Sequence, residues 1–177
     1  MAFATVLQRA KSTYLEGLIL ENCGIDDNEL ARLFEGLSKQ DNFRSFHYKQ
    51  NQFLKNSLEA LKPILAKSPP ACLYELVMVS VRSQPSVITE MCSHIYTEAH
   101  NLRSLRLVSM NLSGNCVRII ADAVKNSSWL TQLDLTKNER VMPSGWIYLL
   151  EVLDKNRTLS WVNLSHNMLI NPMDQSE

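Results

Sequence analysis

Several features are missing from this 177-residue chain, and each absence removes a class of function. Lys plus Arg equals Asp plus Glu at 18 each, so no net field draws the chain to nucleic acid or an anionic membrane. No apolar stretch approaches the ~18 residues that a membrane span needs. Met1 to Tyr14 alternates apolar and basic residues without a continuous apolar core, so no secretory signal is read there and the expected location is cytoplasmic, not secreted. Cys23, Cys72, Cys92 and Cys116 form no C-x-x-C pair and read as reduced, mostly buried thiols. Without a signal, the sequons at Asn111, Asn126, Asn156 and Asn163 read as accidents of an Asn- and Ser-rich sequence. No G-x-G-x-x-G, Walker A, H-E-x-x-H or G-x-S-x-G occurs, so neither an enzyme nor a cofactor is expected. His94 and His100 lie six apart and do not share a helical face, so no metal site is expected.

What the chain does contain is a period. The pattern L-x-x-L-x-L-x-x-N/C begins at Leu15, Phe43, Leu73, Leu102, Leu130 and Leu159, with spacings of 28, 30, 29, 28 and 29. Counting each start as step one, steps four and six are also apolar. They are Leu18 and Leu20, Phe46 and Tyr48, Leu76 and Met78, Leu105 and Leu107, Leu133 and Leu135, and Val162 and Leu164. Step nine is Cys23, Asn51, Asn138 and Asn167 in four copies, but Val81 and Met110 in the third and fourth. Apolar steps one, four and six belong on the inside of a short strand. A step-nine Asn or Cys can satisfy backbone groups that the turn after the strand leaves unpaired. A looser turn or an adjusted loop is therefore expected at Val81 and Met110.

The second half of each period is helical. Leu30, Leu33, Phe34 and Leu37 form one buried stripe, with Asp26 or Asp27 suited to the N-cap. Asn56 precedes a second stripe of Leu58, Leu61, Ile64 and Leu65, and Pro63 is expected to kink or shorten it. Pro85 opens a third, with Val87, Ile88, Met91 and Ile95 inward. Val117, Ile120, Ala121 and Val124 mark a fourth over roughly 114–125, and Trp146, Leu149, Leu150 and Leu153 a fifth.

Strand motif, step-nine Asn and a full helix in a period of 28–30 together resemble the ribonuclease-inhibitor-like leucine-rich-repeat superfamily. That superfamily includes ribonuclease inhibitor, the sensor regions of NOD-like receptors, the GTPase activator of Ran and regulators of actin capping protein. The resemblance covers nearly the whole chain and does not single out a member. It implies an α/β solenoid, a curved right-handed stack with parallel strands inside and helices outside. The expected organisation is a partial N-terminal repeat helix over 1–14, five complete repeats at 15–42, 43–72, 73–101, 102–129 and 130–158, and a truncated sixth repeat with its tail over 159–177. Phe3, Val6, Leu7 and Ala10 read as a helix without its strand, and Leu159 to Asn167 as a strand without its helix. Met168, Leu169, Ile170 and Pro172 offer thin cover to that end, so a larger chain or assembly is expected to shield both.

Such an architecture predicts a non-catalytic scaffold that binds a protein partner through its concave strand face. Two alternatives stand beside it. One is an architectural part of a cytoskeletal or axonemal assembly, which the irregular third copy favours. The other is a small-GTPase regulator like the Ran activator, disfavoured because the last seven residues hold only Asp174 and Glu177 instead of an acidic tail. The residues between the ladder positions carry the expected contact. Copy one offers acids, Glu16 and Glu21, whereas copies two and four offer Arg44, His47, Lys49, Arg103 and Arg106. Copy three is expected to expose Tyr74, Val77 and Val79, and Asp134 and Trp161 come from copies five and six. Aromatic and Arg side chains dominate interfaces, so Trp161, Tyr74 and Arg106 are the leading partner-contact candidates, with Arg103, His47, Lys49 and Asp134 around them. Cys23 occupies a motif position and reads as structural.

Overall fold

Alternation of apolar side chains fixes which face of each strand is buried, and the period fixes where the next strand begins. The computed structural model describes residues 14–69 and 71–169. Among them are six strands: β1 (Gly17–Glu21), β2 (Ser45–Lys49), β3 (Glu75–Val79), β4 (Ser104–Val108), β5 (Gln132–Asp134) and β6 (Trp161–Asn163). Five helices lie between them: α1 (Asp27–Leu37), α2 (Lys55–Leu65), α3 (Pro85–Glu98), α4 (Gly114–Asn126) and α5 (Pro143–Lys155). The strands form one parallel sheet in sequential order. Its register pairs equal steps of successive units, as in Leu18–Phe46, Phe46–Leu76, Leu76–Leu105, Leu105–Leu133 and Leu133–Val162. Helices likewise pack on the helix before and the helix after. The N-terminal helix expected before Tyr14, and the cover expected from Ile170 and Pro172, lie outside the described residues.

Two backbone devices recur at every interface. At the start of each strand, the N–H groups of steps two and three both donate to the step-two carbonyl of the preceding unit. Arg44 and Ser45 thus share Glu16 O, Tyr74 and Glu75 share Arg44 O, and Arg103 and Ser104 share Tyr74 O. This bulge-like kink inserts one residue into the alternation, which is why two residues separate apolar steps one and four but only one separates four and six. At the far end, the step-eight residue of each unit, Asn22, Gln50, Ser80, Ser109, Lys137 and His166, has φ between 48° and 58°. The left-handed residue turns the chain out of the strand toward the helix layer.

That turn leaves polar backbone groups facing the core, and the step-nine Asn takes them up. Asn51 Nδ2 donates to Leu20 O (3.2 Å) while its Oδ1 accepts from Cys23 N (2.9 Å). Asn138 Nδ2 donates to Leu107 O (2.8 Å) and Leu135 O (2.9 Å), and its Oδ1 accepts from Met110 N (3.0 Å) and Leu112 N (3.3 Å). Asn167 repeats the arrangement with Leu135 O (2.9 Å) and Asn138 N (2.7 Å). At Val81 the loop is adjusted rather than looser. A backbone bridge pairs Gln52 with Arg82, with Phe53 N donating to Arg82 O and Arg82 N to Asn51 O. After Met110, Asn111 takes a second left-handed φ of 52°.

The core lies between sheet and helices. Ladder residues of units two to five are buried, whereas Leu18 and Leu20 are half-buried and Val162 is 38% exposed. Among the described strands β1 and β6 have a neighbour on one side only. The Tyr48 hydroxyl tolerates its ladder position by donating to Gln52 O at 2.7 Å. All helix stripes expected for α1 to α4 are buried. In α5 the expectation needs correction: Trp146, Leu149 and Val152 are buried, while Leu150 is 41% exposed and Leu153 half-buried. Gly145 lets the first turns of α4 and α5 approach, since an added Cβ would stand 2.8 Å from Val141 Cγ1 and 3.1 Å from Gly114 Cα. Cys72, Cys92 and Cys116 are buried free thiols, and Cys23 is exposed.

Helix starts are satisfied in different ways. Asp26 forms a capping box with Glu29 on α1. The N-cap of α2 is Leu54, with no side-chain bond of its own, so Asn56 is not the cap. Asp27 of the preceding unit serves instead, accepting from the N–H groups of Leu54, Asn56 and Ser57, each at 3.0 Å. Burial raises the Asp27 carboxyl, but the Ser57 hydroxyl and these three N–H groups outweigh it and hold it below its ordinary value. Pro63 sits within α2, which ends two residues later.

Truncating the Asn138 side chain leaves five main-chain groups without that partner, three of them (Leu107 O, Met110 N and Leu112 N) in the preceding unit. Asn138→Ala is expected to cost about 3 kcal/mol in urea unfolding. Cys23→Ala removes one exposed contact, Sγ to Glu21 O at 3.3 Å. It should stay within about 0.5 kcal/mol. Equal losses would mean that step nine contributes only by filling space.

Candidate interaction surface

Steps three, five and seven of each strand point away from the helices. Across the sheet, step five runs Ile19, His47, Val77, Arg106, Asp134, Asn163, and step three runs Gly17, Ser45, Glu75, Ser104, Gln132, Trp161. Much of the polarity on this face is already committed. Glu75 Oε2 lies 2.9 Å from His47 Nε2 and accepts from Ser45 Oγ at 2.8 Å. Burial pushes the Glu75 carboxyl up, but these bonds and the charges of His47 and Arg106 prevail, holding it below the ordinary Glu range. Lys49 pairs with Glu21 at 3.6 Å, so the acids of copy one and the bases of copy two partly cancel.

Asp134 and Val77 do not stand as the sequence suggested. Asp134 is 8% exposed, and its Oδ1 accepts from Thr136 N (3.0 Å) and Thr136 Oγ1 (2.5 Å). Asn163 binds Ser165 in the same way, at 3.1 and 2.7 Å. These side-chain turns coincide with the shorter β5 and β6, which end at step five. Val77, expected to be exposed, is 5% exposed because it lies between His47 and Arg106, whose longer side chains cover it. Val79 is half-buried.

The other candidates gather around aromatic rings. The Arg106 guanidinium carbon is 5.4 Å from the Trp161 ring centre, and its Nη2 donates to Gln132 Oε1 at 3.1 Å. Arg106 Nε is buried without a partner. At step two, Arg44 and Arg103 approach the Tyr74 ring from the units on either side, at 5.6 and 4.5 Å. Arg103 also stands 6.0 Å from the ring of Trp129. Trp129, 53% exposed, was missed by sequence reasoning. It directly precedes step one of the fifth copy, a position the strand frame assigns to a loop; its size beside two serines was the available signal. It also walls an open cleft of about 220 Å³ between the C-terminal ends of α3 and α4, lined further by Tyr96 and His100.

Away from this face, Lys55 and Lys62 of α2 clamp Glu59 and Glu90 at 2.6 to 3.1 Å. Those hydrogen bonds hold the Glu59 carboxyl down to about 2. Among the described residues no group of three His, Cys, Asp or Glu is placed to hold a metal ion. Nor is any helix there long and apolar enough to cross a membrane. No model of a known family matches this chain, and no curated protein is similar to it.

Because folding lowers the Glu75 carboxyl, its contribution is present above the ordinary Glu range and fades as pH falls through the lower folded value. Urea unfolding should show wild type ahead of Glu75→Gln by under about 1 kcal/mol at neutral pH. The gap should close on acidification below about pH 4.5. A gap that does not change with pH would show that the carboxylate charge plays no part.

Proposed function

We propose that this chain is a non-catalytic protein-interaction scaffold, a leucine-rich-repeat solenoid of the ribonuclease-inhibitor-like type, which binds a partner protein through its strand face. The observation that carries the reading is the grouping of large side chains on a regular framework: Trp161 beside Arg106, and Trp129 beside Arg103 and Tyr74. Trp, Tyr and Arg are the residue types that supply most binding energy at interfaces. Here they are held by a backbone whose hydrogen bonds repeat from unit to unit, so little is lost in ordering them on contact. Sequential parallel strands and a period of 28–30 support the repeat architecture.

A second reading is an architectural role in a cytoskeletal or axonemal assembly. It is favoured by Ile19, an apolar side chain 60% exposed on the outer face of the sheet. Constitutive, stoichiometric co-purification would distinguish it from a partner that exchanges.

The test is affinity capture from native extract with the full-length protein and its Trp161→Ala/Tyr74→Ala/Arg106→Ala variant, matched in circular dichroism. At least one partner should fall by about tenfold or more with the variant, a loss of about 1.4 kcal/mol. If every partner is retained, the strand face is not where binding occurs.

A further inference from the structure

The bulge-like kink at the start of each strand has a side-chain consequence. It turns step two off the core, so the step-two side chains of successive units stack on one another along the sheet. Units two, three and four place Arg44, Tyr74 and Arg103 there, and Trp129 extends the row beyond Arg103. Both guanidinium carbons lie within 5.6 Å of the one Tyr74 ring, so at most about 10 Å separates them. A guanidinium stacked by its face keeps its in-plane N–H edge available for a carboxylate. The ring also fixes the side chain before any ligand arrives.

The charges around the row are asymmetric in their commitments. Glu21 is taken by Lys49, Glu75 by His47 and Ser45, and Asp134 by Thr136. None of Arg44, Arg103 or Arg106 forms an ion pair among the described residues, and Glu16, at the head of the row, forms none with Arg44. Arg44 gives one N–H to Phe43 O at 3.2 Å. Arg103 is exposed, and the described contacts of its guanidinium are the two rings.

We propose that this row binds an acidic polypeptide segment lying extended across the strands, with carboxylates on Arg44 and Arg103. A polyproline-II chain advances roughly 3.1 Å per residue with about three residues per turn, so carboxylates about three residues apart lie on one side and span the gap. Tyr74 and Trp129 neighbour the two guanidiniums and cover aliphatic parts of the segment. A polyanion such as RNA is a poorer fit: the chain has zero net charge, and Glu16 heads the row. The inference rests on the strand-face reading above and supplies the chemistry of its partner.

The probe is a fluorescein-labelled peptide of roughly twelve Ser and Ala residues with Glu at every third position. Its anisotropy is followed with the full-length protein, beside the same peptide carrying Gln. The Glu peptide is expected to bind at least about tenfold more tightly than the Gln peptide. It should weaken as NaCl is raised from about 0.05 to about 0.5 M. Arg44→Ala, Arg103→Ala and Tyr74→Ala should each weaken it about fivefold or more. Arg103→Lys, which keeps the charge and loses the planar fork, should also weaken it, while Tyr74→Phe, which keeps the ring, should not. The proposal is overturned if Glu and Gln peptides bind alike, if neither binds, or if a phosphoserine peptide or single-stranded RNA binds more tightly than the Glu peptide. A partner lost with the Trp161/Tyr74/Arg106 triple variant, yet neither displaced by the Glu peptide nor weakened by Arg44→Ala/Arg103→Ala, would sink this inference and leave the strand-face reading standing. Partners that survive the triple variant would sink both.

Discussion

The fold depends on the answer to one problem: each strand ends in a turn that points backbone N–H and C=O groups into an apolar core. Around Asn138 these groups are buried, and leaving even a few of them unpaired would cost as much as a domain of this size has to spare. The remedy comes from the next unit. Asn51, Asn138 and Asn167 each give an amide N–H to the step-six carbonyl of the preceding unit and take its step-nine N–H. A unit's turn is therefore incomplete until its successor is in register. That requirement couples neighbours more sharply than apolar contact, which tolerates sliding.

Register, once set there, dictates the rest. Equal steps lie opposite one another along the sheet, so the ladders of the core and the rows of the outer face are both consequences of the turn. Where the third copy lacks the Asn, the Gln52–Arg82 bridge preserves register with backbone alone. The Asp27 cap of α2 acts in the same direction, since one carboxylate ties the helix of one unit to the helix start of the next.

The sequence displayed whatever repeats. Ladder residues, strand positions and the buried stripes of four helices follow from spacing because every copy solves the same burial problem with the same residue types. What it hid were relations that cross between copies. Asp27 looks like a local cap, but its hydrogen-bond partners are 27 to 30 residues away. Val77 looks exposed until His47 and Arg106 are known to flank it, and Asp134 looks available until Thr136 two residues later is seen to occupy it. The α5 stripe slipped for a different reason: Leu149 and Leu150 are equally apolar, and composition does not say which one the helix turns inward.

Those same cross-copy relations divide the outer face into two kinds of charge. A residue at step three, five or seven stands in a row with its counterparts, so an acid beside a base becomes a pair, as His47 with Glu75 and Lys49 with Glu21. Step two is governed differently, because the kink that lifts it from the core gives it neighbours only along the row. There Arg44 and Arg103 meet the Tyr74 ring, and Glu16 at the head of the row forms no ion pair with Arg44. A ring orients a guanidinium without neutralising it, so the charge remains while the freedom that would oppose binding is reduced. The backbone irregularity that the apolar core requires at the start of every strand is thereby also what leaves Arg44 and Arg103 ordered and unpaired.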